Sequence, residues 1–197
     1  MSHDRPTRQE KLGMRLEIAL SGVLFRQYLR GLDLGGDERL LEIGCGVGAL
    51  TKPLVRFLPR GRITAVDLSP HWSEVARRRL KRRKRVTVLT GDVRALDLEP
   101  ESFDAVLLHF VLHDIPAPER HDVLKALARL LVPGGTLYLR EPTRPSHGMP
   151  ADEIRELFAA AGFEEVRGAD TRSRVAGPMF DARFRKVQPS GLHRKLT

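Results

Sequence analysis

The sequence contains no asparagine and a single cysteine, Cys45. One thiol excludes an internal disulfide framework and fits a reducing cytoplasm. No run of 18 apolar residues occurs, which argues against a membrane-spanning helix. The opening "MSHDRPTRQEKLG" is polar where a secretory signal would carry an apolar core. No cluster of Cys and His has zinc-ligand spacing, so no metal is expected. What is present is 197 residues, 41% hydrophobic and 30% charged, enough to bury the core of one domain.

The net charge of +9 invites a nucleic-acid or anionic-membrane partner. Its distribution weakens that reading. The run "RRRLKRRKR", Arg77 to Arg85, holds eight of the 34 Lys and Arg, leaving 26 against 25 Asp and Glu elsewhere. The run falls late in a predicted helix, where it complements the C-terminal dipole. There it should face away from any chemistry at the strand tips, so a membrane or nucleic-acid contact through it is not favoured.

Short Val/Ile/Leu-rich runs alternate with helical patterns, as in a parallel sheet covered on both faces. "RLLEIG" predicts a first strand, with "VGALTKPLVRFLP" starting the next helix. "GRITAVDLSP" predicts a second strand running into a helix with Ser69 as N-cap and Pro70 at its first position. "RVTVLTGD" and "SFDAVLLHFVL" follow as strands three and four. The helix "APERHDVLKALARLL" meets a stop signal at Pro133-Gly134-Gly135, and "GTLYLREP" is strand five. "PADEIRELFAAAGF" is a last helix, and the remainder predicts two strands joined by a loop holding Gly177-Pro178. Residues 1–35 are expected to form an N-terminal helical cap region, with Leu12, Leu16, Leu20, Val23, Leu24 and Leu29 at helical spacing. Residues 36–188 form the main domain and 189–197 a tail.

The chemistry centres on "LLEIGCGVGALT", Leu40 to Thr51. Gly44, Gly46 and Gly48 after a first strand let backbone approach a nucleotide closely. With Ala49 the same run also fits the dinucleotide fingerprint, so hydride and group transfer both stand at this point. Glu42 would repel a pyrophosphate and attract a cation. Asp67 ends the second strand, where a carboxylate accepts both ribose hydroxyls of either nucleotide. Asp92, ending the third, suits the exocyclic N–H of adenine. Three carboxylates on adjacent strand tips favour a cationic nucleoside.

In this order and spacing, "LLEIGCGVGALT", "ITAVDLSP", "LTGDV", "FDAVLLHFVLHDIP" and "LLVPGGTLYL" resemble the class I S-adenosylmethionine-dependent methyltransferases, from about Leu40 to Val187. The resemblance implies a Rossmann-like three-layer αβα sandwich, its sheet seven-stranded and mostly parallel with an antiparallel last strand. It implies S-adenosylmethionine as cofactor, with Gly44, Gly46, Gly48 and Glu42 around its methionine part. Asp67 would hold the ribose, Leu68 pack on adenine, and Asp92 with the Val93 N–H read its edge. His109 would lie beside the methionine moiety.

Transfer from a sulfonium needs alignment of acceptor, methyl and sulfur, and a base only if the nucleophile arrives protonated. Candidates follow strands four and five: His113, His109 and Tyr138 first, then Asp114, Arg140 and Glu141. His113 is open between a base oriented by Asp114 and a turn hydrogen bond. Alternation places Tyr138 and Arg140 on one face and Glu141 on the other. The chain lacks an N-P-P-Y-like segment to stack a flipped base and the acidic set of magnesium-dependent enzymes. A small-molecule acceptor is expected. The alternatives are a phospholipid headgroup or quinone at a membrane surface, and a non-catalytic nucleotide- or nucleic-acid-binding module.

Overall fold

A computed structural model describes residues 25–173 and 177–187. The expected cap residues Leu12, Leu16, Leu20, Val23 and Leu24, and the tail, lie outside the described residues; Leu29 is fully buried. Helix α1 covers 25–31. The strands are β1 (Arg39–Ile43), β2 (Arg62–Asp67), β3 (Val86–Thr90), β4 (Phe103–His109), β5 (Leu131–Arg144), β6 (His147–Gly148), β7 (Phe163–Ser173) and β8 (Gly177–Lys186). The further helices are α2 (Thr51–Leu54), α3 (Pro70–Leu80), α4 (Ala117–Leu130) and α5 (Ala151–Ala160).

The sheet runs β3-β2-β1-β4-β5-β8-β7, with β6 paired to β5 off that path. β3, β2, β1, β4 and β5 are mutually parallel, and β8 is antiparallel to both β5 and β7. Chain order reverses between β1 and β4, so the crevice beyond their carboxyl ends is where a ligand binds in such sheets. Alternation divides the core into two. Leu41, Ile43, Val106, Leu108, Leu137 and Leu139 pack under α4 and α5. Leu40, Ala65, Ala105, Leu107 and Tyr138 pack under α1, α2 and α3. The result is the expected three-layer sandwich.

Several boundaries differ from expectation. The helix after β1 is one regular turn, Thr51–Leu54, because Pro53 has no N–H to extend it. Chain on either side is held by turns such as Lys52 N–H to Gly48 O, 3.2 Å, and Phe57 N–H to Leu54 O, 2.9 Å. Pro133-Gly134-Gly135 does not separate helix from strand. α4 ends at Leu130, β5 begins at Leu131, and the three residues sit in a register shift where Phe103 pairs Leu131 but Ala105 pairs Thr136. Gly177 and Pro178 open β8 and pair with Ser173 and Arg172. The α3 entry is as expected: Pro70 is first, and the Ser69 hydroxyl accepts from Trp72 N–H at 3.4 Å. The β6 hairpin has no counterpart in the sequence reading. It depends on Gly148, whose added Cβ would stand 2.2 Å from the Pro142 carbonyl oxygen.

Candidate active site at the carboxyl ends of the strands

The tip of β1 is tied to β2 where Gly44 and Cys45 N–H both donate to Val66 O, at 2.8 and 3.0 Å. Gly44 has φ +70°, and a Cβ there would lie 2.3 Å from Val111 Cγ2, so glycine lets the turn after β4 press onto the turn after β1. Asp67 braces the same turn: one carboxylate oxygen accepts from Gly46 N–H at 2.7 Å and the other from Ser69 N–H at 2.9 Å. Space beside Gly46 is open, with no atom within 4 Å of an added Cβ, whereas Gly48 is backed by Leu80. Cys45 is buried and its thiol is pushed up by burial, with Glu42 and Asp67 adding, which leaves a space-filler and not a nucleophile.

Glu42 is the unusual group. Its side chain is buried at 3% exposure and Oε2 has no hydrogen-bond partner. Burial pushes its carboxyl up to about 7; the Thr51 hydroxyl offsets part of this and the Asp67 charge adds to it. An orphaned buried carboxylate beside an open glycine turn fits a cationic ligand and opposes a phosphate.

Beyond the tips of β2 and β3, Leu68 is 51% exposed and Val93 is buried. Asp92 carries an unforeseen partner. Its carboxylate accepts from Arg94 N–H at 2.8 Å and takes the Arg94 guanidinium at 2.9 and 3.0 Å, which holds its pKa below the usual carboxylate range. Arg94 also pairs with Glu119. Arg94 was not identified from the sequence; its spacing from Asp92, two residues on, was the available signal.

At the tips of β4 and β5, His109 sits among rings, with centroids 5.2 Å to Phe25, 5.1 Å to Tyr28 and 4.3 Å to Phe110. Burial and the Arg140 charge push its imidazole down to about 3. Such a ring is neutral at ordinary pH and a poor proton acceptor. Arg140 stacks over Tyr28 at 4.0 Å and forks onto Asp181 of β8 at 2.6 and 2.5 Å. Tyr138 shares the Arg140 face, as expected, but it is 4% exposed and its hydroxyl donates to Asp33 O at 2.8 Å. Burial pushes its phenol up to about 12. That hydroxyl is committed to the segment entering β1, at the opposite end of the sheet from the strand tips.

The opposite face of β5 brings together what the sequence left open. Glu141 is fully buried, and Oε1 accepts from Val111 N–H at 2.7 Å and Leu112 N–H at 2.6 Å. Its Oε2 lies 2.6 Å from His113 Nδ1, which therefore carries the shared proton and leaves Nε2 as the basic nitrogen. His113 Nε2 faces His147 Nε2 at 3.1 Å, and Asp114 stands farther off at 3.7 Å. Burial alone would lower the His113 pKa; the hydrogen bond and charge of Glu141, with Asp114, overcome it and Arg120, and hold it above the ordinary value. Glu141, not Asp114, is thus the orienting acid. A glutamate ending a Leu-rich strand was its signal, whereas His147 arrives through the β6 hairpin and had none. Arg120 secures the turn by donating to Ile115 O at 2.9 Å and His113 O at 3.3 Å.

A family model described as a methyltransferase domain matches residues 41–139, half of the chain. The chain belongs to the class I S-adenosylmethionine-dependent methyltransferases. Carboxy-S-adenosyl-L-methionine synthase of Chromohalobacter salexigens is 27% identical over 193 residues, 91% of this chain and 69% of that protein. Ubiquinone biosynthesis O-methyltransferase of Xanthomonas oryzae pv. oryzae is 39% identical over 123 residues, so this chain covers only 49% of its length. The N-methyltransferase NodS of Bradyrhizobium japonicum, solved with S-adenosyl-L-homocysteine, shares the fold with a TM-score of 0.66 at 22% identity, over 93% of this chain and 89% of that one. The methyltransferase uses S-adenosylmethionine, and the residues present fit it: Glu42 supplies a buried acid with one oxygen unpartnered, Gly46 an open backbone and Leu68 an exposed apolar surface. Among the described residues there is no group of three potential metal ligands, and no helix is long and apolar enough to cross a membrane.

Proposed function

We propose that the methyl acceptor is a small molecule whose nucleophilic atom arrives protonated, and that His113, oriented by Glu141, removes that proton. The supporting observation is the pairing of a fully buried glutamate with His113 at 2.6 Å on the tip of β5. S-adenosylmethionine, when bound, supplies an electrophilic methyl on a sulfonium. Around it, Glu42 meets the positive charge, Asp67 the ribose, Leu68 and Val93 the adenine, and Asp92 its exocyclic N–H, sharing its oxygens with Arg94. Neutral His109 packs beside the methionine part without adding a repelling charge. Tyr138 leaves the catalytic set and serves packing.

His113 Nε2 takes the acceptor's proton as the nucleophile forms its new bond, and the imidazolium is stabilised by Glu141. His147, exposed and 3.1 Å away, carries the proton to solvent. An oxygen acid such as a phenolic hydroxyl suits this base, in line with relatives named for O-methylation. The protein would work in the cytoplasm, where Cys45 stays reduced. The test is a pH–rate profile on an acceptor drawn from a phenol and amine panel. The rate should rise with pH through an ionisation above about 6.5, because the raised His113 pKa must be passed to free Nε2. His113→Ala should lose about 10²–10⁴-fold in kcat and the ionisation with it, and Glu141→Gln should shift that ionisation downward. An unchanged rate and profile in His113→Ala would make the histidine structural.

A further inference from the structure

Methyl transfer leaves the run Arg77–Arg85 without a task. Part of it has internal partners: Arg77 donates to Thr90 Oγ1 at 2.6 Å, Glu74 pairs with Arg78 at 3.1 Å, and Arg85 donates to Pro59 O. Lys81, Arg82, Arg83 and Lys84 have no acidic partner among the described residues. Instead the first three converge. Arg78, Arg79, Lys81, Arg82 and Arg83 line a cleft of about 390 Å³ together with Lys52, which comes from α2. No carboxylate of the described residues lines it.

A solvated helix end does not account for this arrangement. The helix dipole falls off within one turn and favours one or two cations there, not six converging from two elements. Lys52, Lys81, Arg82 and Arg83, which have no acidic partner among the described residues, repel one another around this concavity until an anion joins them. Four guanidinium groups offer forked donors that match phosphate oxygens, and the lysines add point charges. The volume lies in the range of discrete ligand sites. Concavity disfavours a flat bilayer, and among the described residues the exposed large apolar side chains, Leu68, Val166 and Val187, lie outside the cleft. Among the described residues no aromatic side chain lines the cleft to stack a base.

We propose that this cleft binds a small, multiply phosphorylated anion. None of its lining residues is among those at the strand tips. α3 begins beside Asp67 at the carboxyl end of β2 and ends where the chain turns back into the first residue of β3, so the cleft lies toward the amino ends of the strands.

The probe is inorganic tripolyphosphate, titrated calorimetrically into the full chain beside orthophosphate and sulfate at matched ionic strength. One saturable site should appear, at least about tenfold tighter than orthophosphate and weakening as salt rises. The triple variant Lys81→Gln, Arg82→Gln, Arg83→Gln should lose about tenfold or more of that affinity, while its melting temperature is no lower than the parent's and its S-adenosylhomocysteine affinity is the same. Equal binding of tripolyphosphate and orthophosphate, or a variant that binds like the parent, would overturn the proposal. So would tight retention of single-stranded RNA or phosphatidylglycerol vesicles with no measurable tripolyphosphate binding, since the cleft would then serve a polymer or a membrane.

Discussion

Glu42 links burial, charge and cofactor affinity in a way that can be measured. Its carboxyl rises from 4.5 to about 7 in the folded chain, mainly because burial penalises the charge. That change corresponds to about 3 kcal/mol of destabilisation of the ionised form. The folded state therefore binds more protons than the unfolded state between these values. Stability falls as pH rises from 4.5 toward 7, by up to that amount from this group. A bound cation reverses the penalty by favouring the carboxylate. Near pH 7 the empty site is about half protonated, so binding S-adenosylmethionine should release roughly half a proton. Affinity should improve about tenfold between pH 6 and pH 8. Calorimetry at pH 7 in two buffers of different ionisation enthalpy reads the release directly. Glu42→Gln should abolish this component, flatten the pH dependence of affinity and weaken binding at pH 8 by about 1.5–3 kcal/mol. The reasoning fails if the parent exchanges no protons on binding, or if the variant exchanges as many as the parent.

Gly44→Ala places a Cβ 2.3 Å from Val111 Cγ2 at φ +70°; urea unfolding should show a loss of about 2–4 kcal/mol, and a loss under about 0.5 kcal/mol would mean the two turns separate freely. Asp92→Ala should weaken S-adenosylhomocysteine binding by about 1.5–3 kcal/mol. Arg94→Ala should leave that binding nearly unchanged, because its pair with Asp92 is about one-third exposed and contributes little to stability. Equal losses in the two variants would assign the pair a structural duty in place of adenine recognition.

The parts legible in the sequence are those set by local rules. Ser69-Pro70 specified the start of α3 because a hydroxyl cap and a fixed φ act within one turn. Alternation in β5 placed Arg140 and Glu141 on opposite faces, and the structure keeps them there: Arg140 stacks on Tyr28 under α1, and Glu141 holds the turn after β4. Where the linear pattern is silent, a contact distant in sequence decided. The phenol of Tyr138 finds a carbonyl 105 residues away, at Asp33. His147 meets His113 only because Gly148 lets the chain fold tightly back on Pro142. Lys52 of α2 lines one cleft with Arg78 and Arg79 of α3 and with Lys81, Arg82 and Arg83 just beyond it, across some 26 residues or more of chain.

By itself the sequence determined the order of strands and helices, the glycine turn and the acid at each of three strand tips, since periodicity, caps and turn residues operate over a few positions. Only the tertiary structure decided what each acid does before a ligand arrives. One buried oxygen of Glu42 is left without a partner, Asp67 braces a turn, Asp92 is held by Arg94, and Glu141 claims His113. Charge and hydrogen-bond partnership depend on which side chains the sheet brings within about 3 Å, and a linear pattern does not contain that distance.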